Sequence, residues 1–275
     1  MSDNETPQLR YESVQPDSGE PPNWIFVLHG IYGAGRNWAT VMRRVVRSRP
    51  EWGARLIDLR EHGDSHGLPG PHTLENAALD LERLAESIGH PRAVLGHSFG
   101  GKVALTWART RPAELEQIWI VDAPLEASSP RGSAWAMLGV LDELPGPFDS
   151  RDEGVKALLA KGIAEPTAKW MATNLEARDD AYHWRIDLGA MRELIEDFFA
   201  KDTQDVVESP PPGTEIHIVR ALGASTYSDR KAEEITSLAE QAPVFLHEVE
   251  GGHWLNAENP DAVAALLAKM LPSGS

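Results

Sequence analysis

The chain has 275 residues, 41% of them hydrophobic, and carries a formal net charge of −16 from 42 acidic and 26 basic side chains. This length can bury one large core, and the acidity disfavours binding to a nucleic-acid backbone or to an anionic membrane surface. The absence of cysteine excludes disulfides, thiolate nucleophiles and Cys-ligated metal sites.

The first residues, MSDNETPQLR, are polar and acidic and do not resemble a secretory signal. No run approaches the ~20 apolar residues that a membrane span needs. The sequence therefore predicts a cytoplasmic protein without a membrane span, present as a monomer or a homodimer.

In the first half of the chain, apolar runs of strand length alternate with segments of helical periodicity. Strands are predicted at residues 24–28, 54–59, 93–96 and 117–121, and helices at 38–47, 74–88 and 100–109. This alternation is typical of a mostly parallel α/β sheet, doubly wound with helices on both faces.

The pattern changes at about residue 125. Helical segments are predicted at 134–144, 153–161, 168–174 and 191–200, with no convincing strand before residue 205. Alternation resumes with a strand at 215–219, a helix at 229–241, a strand at 244–249 and a helix at 261–271. We therefore predict a core formed by residues 1–124 and 206–275, interrupted by a helical cap at 125–205.

A glycine-rich turn follows the predicted strand at 93–96. Gly96-His97-Ser98-Phe99-Gly100 fits G-x-S-x-G, in which a strained strand-to-helix turn exposes a nucleophilic serine. The motif alone would arise by chance in roughly one such sequence in ten, but here a strand precedes it and a helix follows. This context predicts that Ser98 is a nucleophile.

A serine nucleophile needs a base and donors for the oxyanion. His253 lies in a glycine-rich loop after the last predicted strand, in the chain order expected of the base. The backbone amides of Ile31, in the turn after the first strand, and of Phe99 are the expected oxyanion donors. His29 is expected to pin that turn, with substrate contact as the lesser alternative.

The carboxylate partner of His253 has two candidates. Asp122 directly ends the apolar strand QIWIV, where a buried charge needs a partner. Asp229 lies in the more usual position, after the strand at 215–219, but ten residues beyond its end and better placed to cap a helix. We favour Asp122, and Asp229 stays the alternative.

Together these residues resemble the α/β-hydrolase superfamily, and within it the small serine esterases carrying D-x-R-x-H-G-x-S, G-H-S-x-G-G-K and V-D-x-x-P. The matching segments here are residues 58–65, 96–102 and 121–124, and WRIDL at 184–188 resembles the W-R-x-N-L segment of that group's cap. The resemblance implies ester hydrolysis without a cofactor, and an acid on the earlier strand. The departures are Asp187, where the group usually has asparagine, and a poorly matched stretch at 127–169.

Other functions use the same residue types. Thioester, lactone or carbon–carbon bond hydrolysis and cofactor-free perhydrolysis are the nearest alternatives, and a catalytically silent binding protein is a more distant one. His62, Asp64, His66 and His72 would allow a metal site, but a hydrogen-bonded loop is the simpler interpretation, so no metal is expected. The expected partner is a small-molecule ester.

Aromatic side chains could line the acyl pocket or simply hold the cap together. The candidates for the substrate pocket are His29, Tyr32, Trp135, Trp184 and Trp254. Lys102 is expected to be a solvated or loop-pairing charge on the helix after Ser98.

Overall fold

The computed structural model describes residues 8–110 and 115–273 of the chain. Its main sheet has seven strands in the order β1-β3-β2-β4-β5-β8-β9, in which β1 is antiparallel to β3 and every other neighbouring pair is parallel. These strands are β1 (Tyr11–Val14), β2 (Asn23–Leu28), β3 (Trp52–Ile57), β4 (Ala93–His97), β5 (Gln117–Val121), β8 (Glu215–Ala221) and β9 (Val244–Val249). The predicted mostly parallel, doubly wound sheet is confirmed.

Helices pack on both faces of this sheet, and others lie in the segment between β5 and β8. They are α1 (Ala39–Ser48), α2 (Leu74–Ile88), α3 (Phe99–Thr110), α4 (Gly132–Asp142), α5 (Arg151–Ala160), α6 (Glu165–Met171), α7 (Leu188–Ala200), α8 (Gln204–Glu208), α9 (Asp229–Leu238), α10 (Leu255–Glu258) and α11 (Pro260–Met270), with short 3-10 turns at Gly35–Trp38 and Ala172–Asn174.

Strand β5 shows why the central strands are apolar throughout. Ile118 and Ile120 pack into the core under α2 and α3, while Trp119 and Val121 pack into the second core under α1 and α11. A strand buried on both faces has no polar side, so its sequence is a continuous apolar run rather than an alternating one.

The segment at residues 125–205, which we call the cap segment, lies between β5 and β8. It contains α4 to α7, the start of α8 and an antiparallel pair of strands, β6 (Leu175–Arg178) and β7 (Ala181–Trp184). The prediction of no strand in this segment is wrong. Both strands have only four residues, and most of their side chains are half-buried or exposed, so they carry neither an apolar run nor a clear alternation.

The carboxyl ends of the parallel strands meet at one edge of the sheet, where ligands bind in open α/β folds. Gly30 follows β2, Ser98 follows β4, Asp122 follows β5, and His253 lies in the loop after β9. The topology therefore brings together residues that lie up to 223 positions apart, from Gly30 to His253.

None of the helices within residues 8–110 and 115–273 is both long and apolar enough to cross a membrane.

Candidate active site

Ser98 sits on a sharp turn between β4 and α3. Its φ is 52°, in the left-handed region, and its amide donates to Val121 O at 3.0 Å. A Cβ on Gly96 would lie 2.1 Å from the carbonyl oxygen of Gly100, and one on Gly100 would lie 2.7 Å from that of His29. Both positions therefore require glycine, and the turn holds Ser98, which is half-buried, in the strained conformation predicted from the motif.

Asp122 and His253 are hydrogen-bonded. Asp122 is 0% exposed and has a φ of 44°, and its Oδ2 accepts from His253 Nδ1 at 2.6 Å. The Asp229 carboxylate, 92% exposed, instead accepts from Arg220 at 2.5 Å. The structure thus brings the favoured aspartate, and not the alternative, to the histidine.

The loop after β8 contributes a hydroxyl to this pair. Thr226 Oγ1 donates to Asp122 Oδ2 at 2.7 Å, and the Ala221 amide lies 3.4 Å from Oδ1. Tyr227 anchors the same loop by donating to Ala123 O. Sequence reasoning considered only acidic residues in this loop and missed Thr226. The signal that could have found it is a hydroxyl residue in the loop beside the strand that Asp122 ends.

A small cavity of about 60 Å³ brings Ser98 and His253 together with Ile31. Its other walls include Tyr32 and, from the cap segment, Met137. Phe99 is the first residue of α3, where backbone amides have no acceptor within the helix. The cavity therefore holds a hydroxyl, an imidazole and the backbone turn from which the predicted oxyanion donors come.

A larger cavity of about 280 Å³, which we call the side chamber, adjoins the small one. Gly30, Thr167, Trp170 and Trp254 line both cavities, and the rings of Trp170 and Trp254 lie 4.5 Å apart. The two cavities are thus separated by a shared wall of few residues. Thr167 and Trp170 of this wall belong to the cap segment, and Trp254 belongs to the loop that carries His253.

Of the predicted pocket residues, His29 lines the side chamber, Tyr32 the small cavity and Trp254 both. The structure places the other two elsewhere. Trp184 Nε1 donates to Leu144 O at 2.7 Å, and the Trp135 ring lies 5.8 Å from the Arg192 guanidinium. Neither tryptophan is among the residues lining these two cavities. Their contacts hold the cap segment together, which was the alternative interpretation.

Three buried histidines surround the nucleophile turn in neutral form. Burial lowers the pKa of His29 to about 4 and the pKa values of His62 and His97 to about 3. His29 accepts from the Leu59 amide at 3.0 Å and bonds Gly30 O at 2.7 Å, so it pins the turn as predicted. His97 Nε2 donates to His253 O at 2.8 Å. His97 therefore positions the loop that carries the imidazole, a role that sequence reasoning missed.

The D-x-R-x-H-G-x-S segment forms a structural loop. The Asp58 carboxylate accepts from the amides of Gly35 at 2.7 Å and Asp64 at 2.8 Å, and Arg60 forms a buried ion pair with Asp80 at 2.8 Å. Arg185 of the WRIDL segment binds Asp64 at 2.5 Å. This loop therefore joins the core to the cap segment.

Across the described residues, no group of three or more His, Cys, Asp or Glu side chains could hold a metal ion.

Lys102, four residues after Ser98, is 0% exposed. Its Nζ donates to the carbonyl oxygens of Glu126 at 2.9 Å, Phe198 at 2.9 Å and Lys201 at 2.6 Å, which lie near the two ends of the cap segment. Burial lowers its pKa to about 8. The structure confirms the alternative in which Lys102 pairs with other segments of the chain. The alternative of a solvated charge is wrong, because neighbouring residues enclose this side chain completely.

The chain is similar to known lipases and esterases. The chain is 30% identical over 265 residues to lipase LipV of Mycobacterium tuberculosis (94% of this chain, 97% of the relative), and 26% identical over 277 residues to sn-1-specific diacylglycerol lipase ABHD11 of Danio rerio (96% and 83%). A solved structure titled marine microorganism esterase superimposes with a TM-score of 0.79 at 21% identity, covering 96% of this chain and 99% of that one. The family model described as the alpha/beta hydrolase family matches residues 25–266, and the chain belongs to that family.

Proposed function

We propose that this hydrolase cleaves carboxylic esters of short to medium acyl chains through an acyl-enzyme intermediate on Ser98. The observation that carries the proposal is the hydrogen bond of 2.6 Å between the buried Asp122 and His253, at the cavity that Ser98 lines. A serine hydroxyl is a weak nucleophile at neutral pH, and an imidazole held in one tautomer by a carboxylate is the group that activates it.

The reaction begins with Ser98 Oγ attacking the ester carbonyl carbon while His253 Nε2 takes the hydroxyl proton. Because Nδ1 donates to Asp122, Nε2 is the nitrogen with a free lone pair. The carbon–oxygen bond to the alcohol then breaks, and the alkoxide takes the proton from His253. Water, deprotonated by the same imidazole, attacks the acyl-enzyme and releases the acid and Ser98.

The negative charge that forms on the carbonyl oxygen needs donors in place before the reaction. In this proposal the amides of Ile31 and Phe99 supply them, with α3 directing its positive end at the same point. The glycines of the turn support this role, since any side chain at Gly100 would collide with the His29 carbonyl. Loss of one donor of this kind typically costs about 10²-fold in rate.

The names of the relatives support the ester class. LipV is named a lipase, the zebrafish protein a diacylglycerol lipase, and the structural neighbour an esterase. In our proposal the cap segment at 125–205 covers the site and sets the acyl preference, because Met137 and Thr167 of that segment line the cavities.

A panel of aryl esters of increasing acyl length, tested on the wild type and on Ser98→Ala, tests the proposed function. We expect the substitution to lower kcat roughly 10⁴-fold or more, because it removes the nucleophile and leaves only binding and oxyanion stabilisation. Circular dichroism is the control that checks whether the variant is folded. Equal turnover by both proteins would refute the mechanism.

A further inference from the structure

The two cavities at the active site are unequal, and an ester has two halves. The small cavity, at about 60 Å³, contains the reacting side chains, whereas the side chamber, at about 280 Å³, contains neither Ser98 nor His253 in its lining. Sites for drug-sized ligands have volumes of about 300 to 1,000 Å³, so the small cavity is too small to hold the whole of a longer ester. One half of such a substrate extends beyond it, and the side chamber is the cavity that shares lining residues with it.

The chemistry of the reaction indicates which half lies there. His253 has to hand its proton to the oxygen of the departing alcohol, so the alcohol must lie on the His253 side of the reacting carbon. Trp254, Asn256 and Ala257, which follow His253 in the chain, line the side chamber. The ring of His97, also in that lining, lies 4.7 Å from the His253 ring. The side chamber is therefore next to the base.

The small cavity, which Ser98 and His253 line, extends on its other side to the turn after β2. Ile31, whose amide is the proposed oxyanion donor, lines it together with Ala134 and Met137 of α4. None of these three residues lines the side chamber. The acyl half accordingly faces the turn after β2 and the cap helix α4.

The walls of the side chamber select for an uncharged, mainly apolar group. Three tryptophans, Trp38, Trp170 and Trp254, are among its lining residues. His29 and His97 add no charge, because burial holds their pKa values at about 4 and about 3.

The one carboxylate in the lining discourages an anionic ligand. Glu258 lies at an exposed position and accepts from the Gly252 amide at 2.6 Å and the Trp254 amide at 3.3 Å. A second negative charge in the chamber would be repelled by it.

We propose that the side chamber binds the alcohol half of the ester, and that this half is an uncharged, apolar alkyl or aryl alcohol. The inference rests on the proposed function. When the tetrahedral intermediate collapses, the bond between the acyl carbon and the alcohol oxygen breaks, and the alcohol takes the His253 proton. It then leaves as a neutral molecule through the chamber, and water can reach the acyl-enzyme.

Filling the chamber tests the assignment. Ala257 lines the side chamber but not the small cavity, and it is solvent-exposed, so Ala257→Trp reduces the chamber volume without disturbing a buried site. The matched control is Ala160→Trp, at the exposed end of α5, away from both cavities. Two substrate series are needed: acetates of methyl to hexyl alcohols, and methyl esters of acetic to hexanoic acid.

We expect Ala257→Trp to lower the ratio of kcat/KM for hexyl acetate to that for methyl acetate by about 10-fold or more, since apolar pockets discriminate by such factors. The ratio of methyl hexanoate to methyl acetate should not change, and Ala160→Trp should match the wild type in both series. A fall in the acyl series instead, or no change in either, overturns the assignment.

A second measurement uses the alcohol product instead of the two ester series. Free 1-hexanol should inhibit hydrolysis of methyl acetate by the wild type, and Ala257→Trp should weaken that inhibition about 10-fold; equal inhibition of both overturns the proposal. Ser98→Ala separates the two failures. If turnover of both series requires Ser98 but the ratios are unaffected, the chamber assignment fails and the proposed function stands. If turnover survives Ser98→Ala, both fail.

Discussion

The carboxyl edge of the sheet and the cap segment satisfy their charged groups in different ways. At the sheet edge, Asp122 is fully buried and receives hydrogen bonds from His253 and Thr226. In the cap segment, pairs such as Lys169–Glu165 lie at the surface, where they contribute little to stability. Because Ser98, Asp122 and His253 all follow strands of the core, the core rather than the cap segment fixes their geometry.

The largest expected effect distinguishes the two aspartates. Asp122→Asn should lower kcat about 10⁴-fold, because the amide can donate to Nδ1 and then favours the wrong imidazole tautomer. Asp229→Asn should stay within about 2-fold of the wild type, since Asp229 contacts an exposed arginine rather than His253. Steady-state hydrolysis of an aryl acetate measures both; an inactive Asp229→Asn beside an active Asp122→Asn would reverse the assignment.

The buried histidines should make the core sensitive to acid. The folded pKa values of His29, His62 and His97 lie below the ordinary 6.5, so the folded state binds fewer protons than the unfolded state as pH falls below 6.5. Stability is therefore fully present above pH 6.5 and declines as pH falls towards 4 and 3, by about 1.4 kcal/mol per pH unit for each histidine.

Urea unfolding at pH 7, 6 and 5 measures this decline. His62→Asn removes one of the three groups and should make the loss of stability with falling pH shallower by about 1.4 kcal/mol per pH unit. The Nε2 atom of His62 has no hydrogen-bond partner within the described part of the chain. The substitution therefore breaks one hydrogen bond, that from His62 Nδ1 to Arg60 O. The same slope in both proteins would show that His62 is not buried as a neutral group.

Lys102 should be the strongest single attachment of the cap segment to the core. Lys102→Met leaves three carbonyl groups without their donor, and we expect the free energy of unfolding to fall by about 3 kcal/mol. Lys169→Met, which breaks only an exposed ion pair, should cost far less than Lys102→Met. Urea titration compares the two, and equal losses would refute the role of Lys102.

The smallest effect concerns Thr226. Thr226→Val removes one hydrogen bond to Asp122, worth about 1 to 1.5 kcal/mol, and should lower kcat roughly 10-fold. Thr226→Ser keeps the hydroxyl and should restore most of the rate. If the valine variant matches the serine variant, the hydroxyl has no part in holding the carboxylate.

The sequence predicts the central strands well because burial on both faces leaves a readable apolar run. QIWIV is strand β5, and the strand around EIHIV extends two residues further than predicted, to Ala221. The edge strand β1, of sequence YESV, was not predicted: it is short, mostly exposed and half polar. The pair β6 and β7 was missed for the same reason, and its turn uses Asp179 and Asp180 at positive φ instead of the glycine that would have signalled it.

For the site, chain order and strand ends predict Ser98, His253 and the favoured Asp122, and the structure places these three residues at one edge of the sheet. The environment of Lys102 was not predictable, because its burial depends on carbonyl groups near Glu126 and Lys201 that only the folded cap segment brings to it. The functions of His97 and Thr226 likewise depend on contacts between distant loops.

Covalent labelling tests the central claim most directly. The wild type is treated with a small aryl phosphonate, digested and analysed by tandem mass spectrometry. We predict a single phosphonyl adduct on Ser98, formed at least about 10³-fold more slowly in His253→Ala because that variant lacks the base. A folded wild type that stays unlabelled, or that carries the adduct on another residue, would contradict the account.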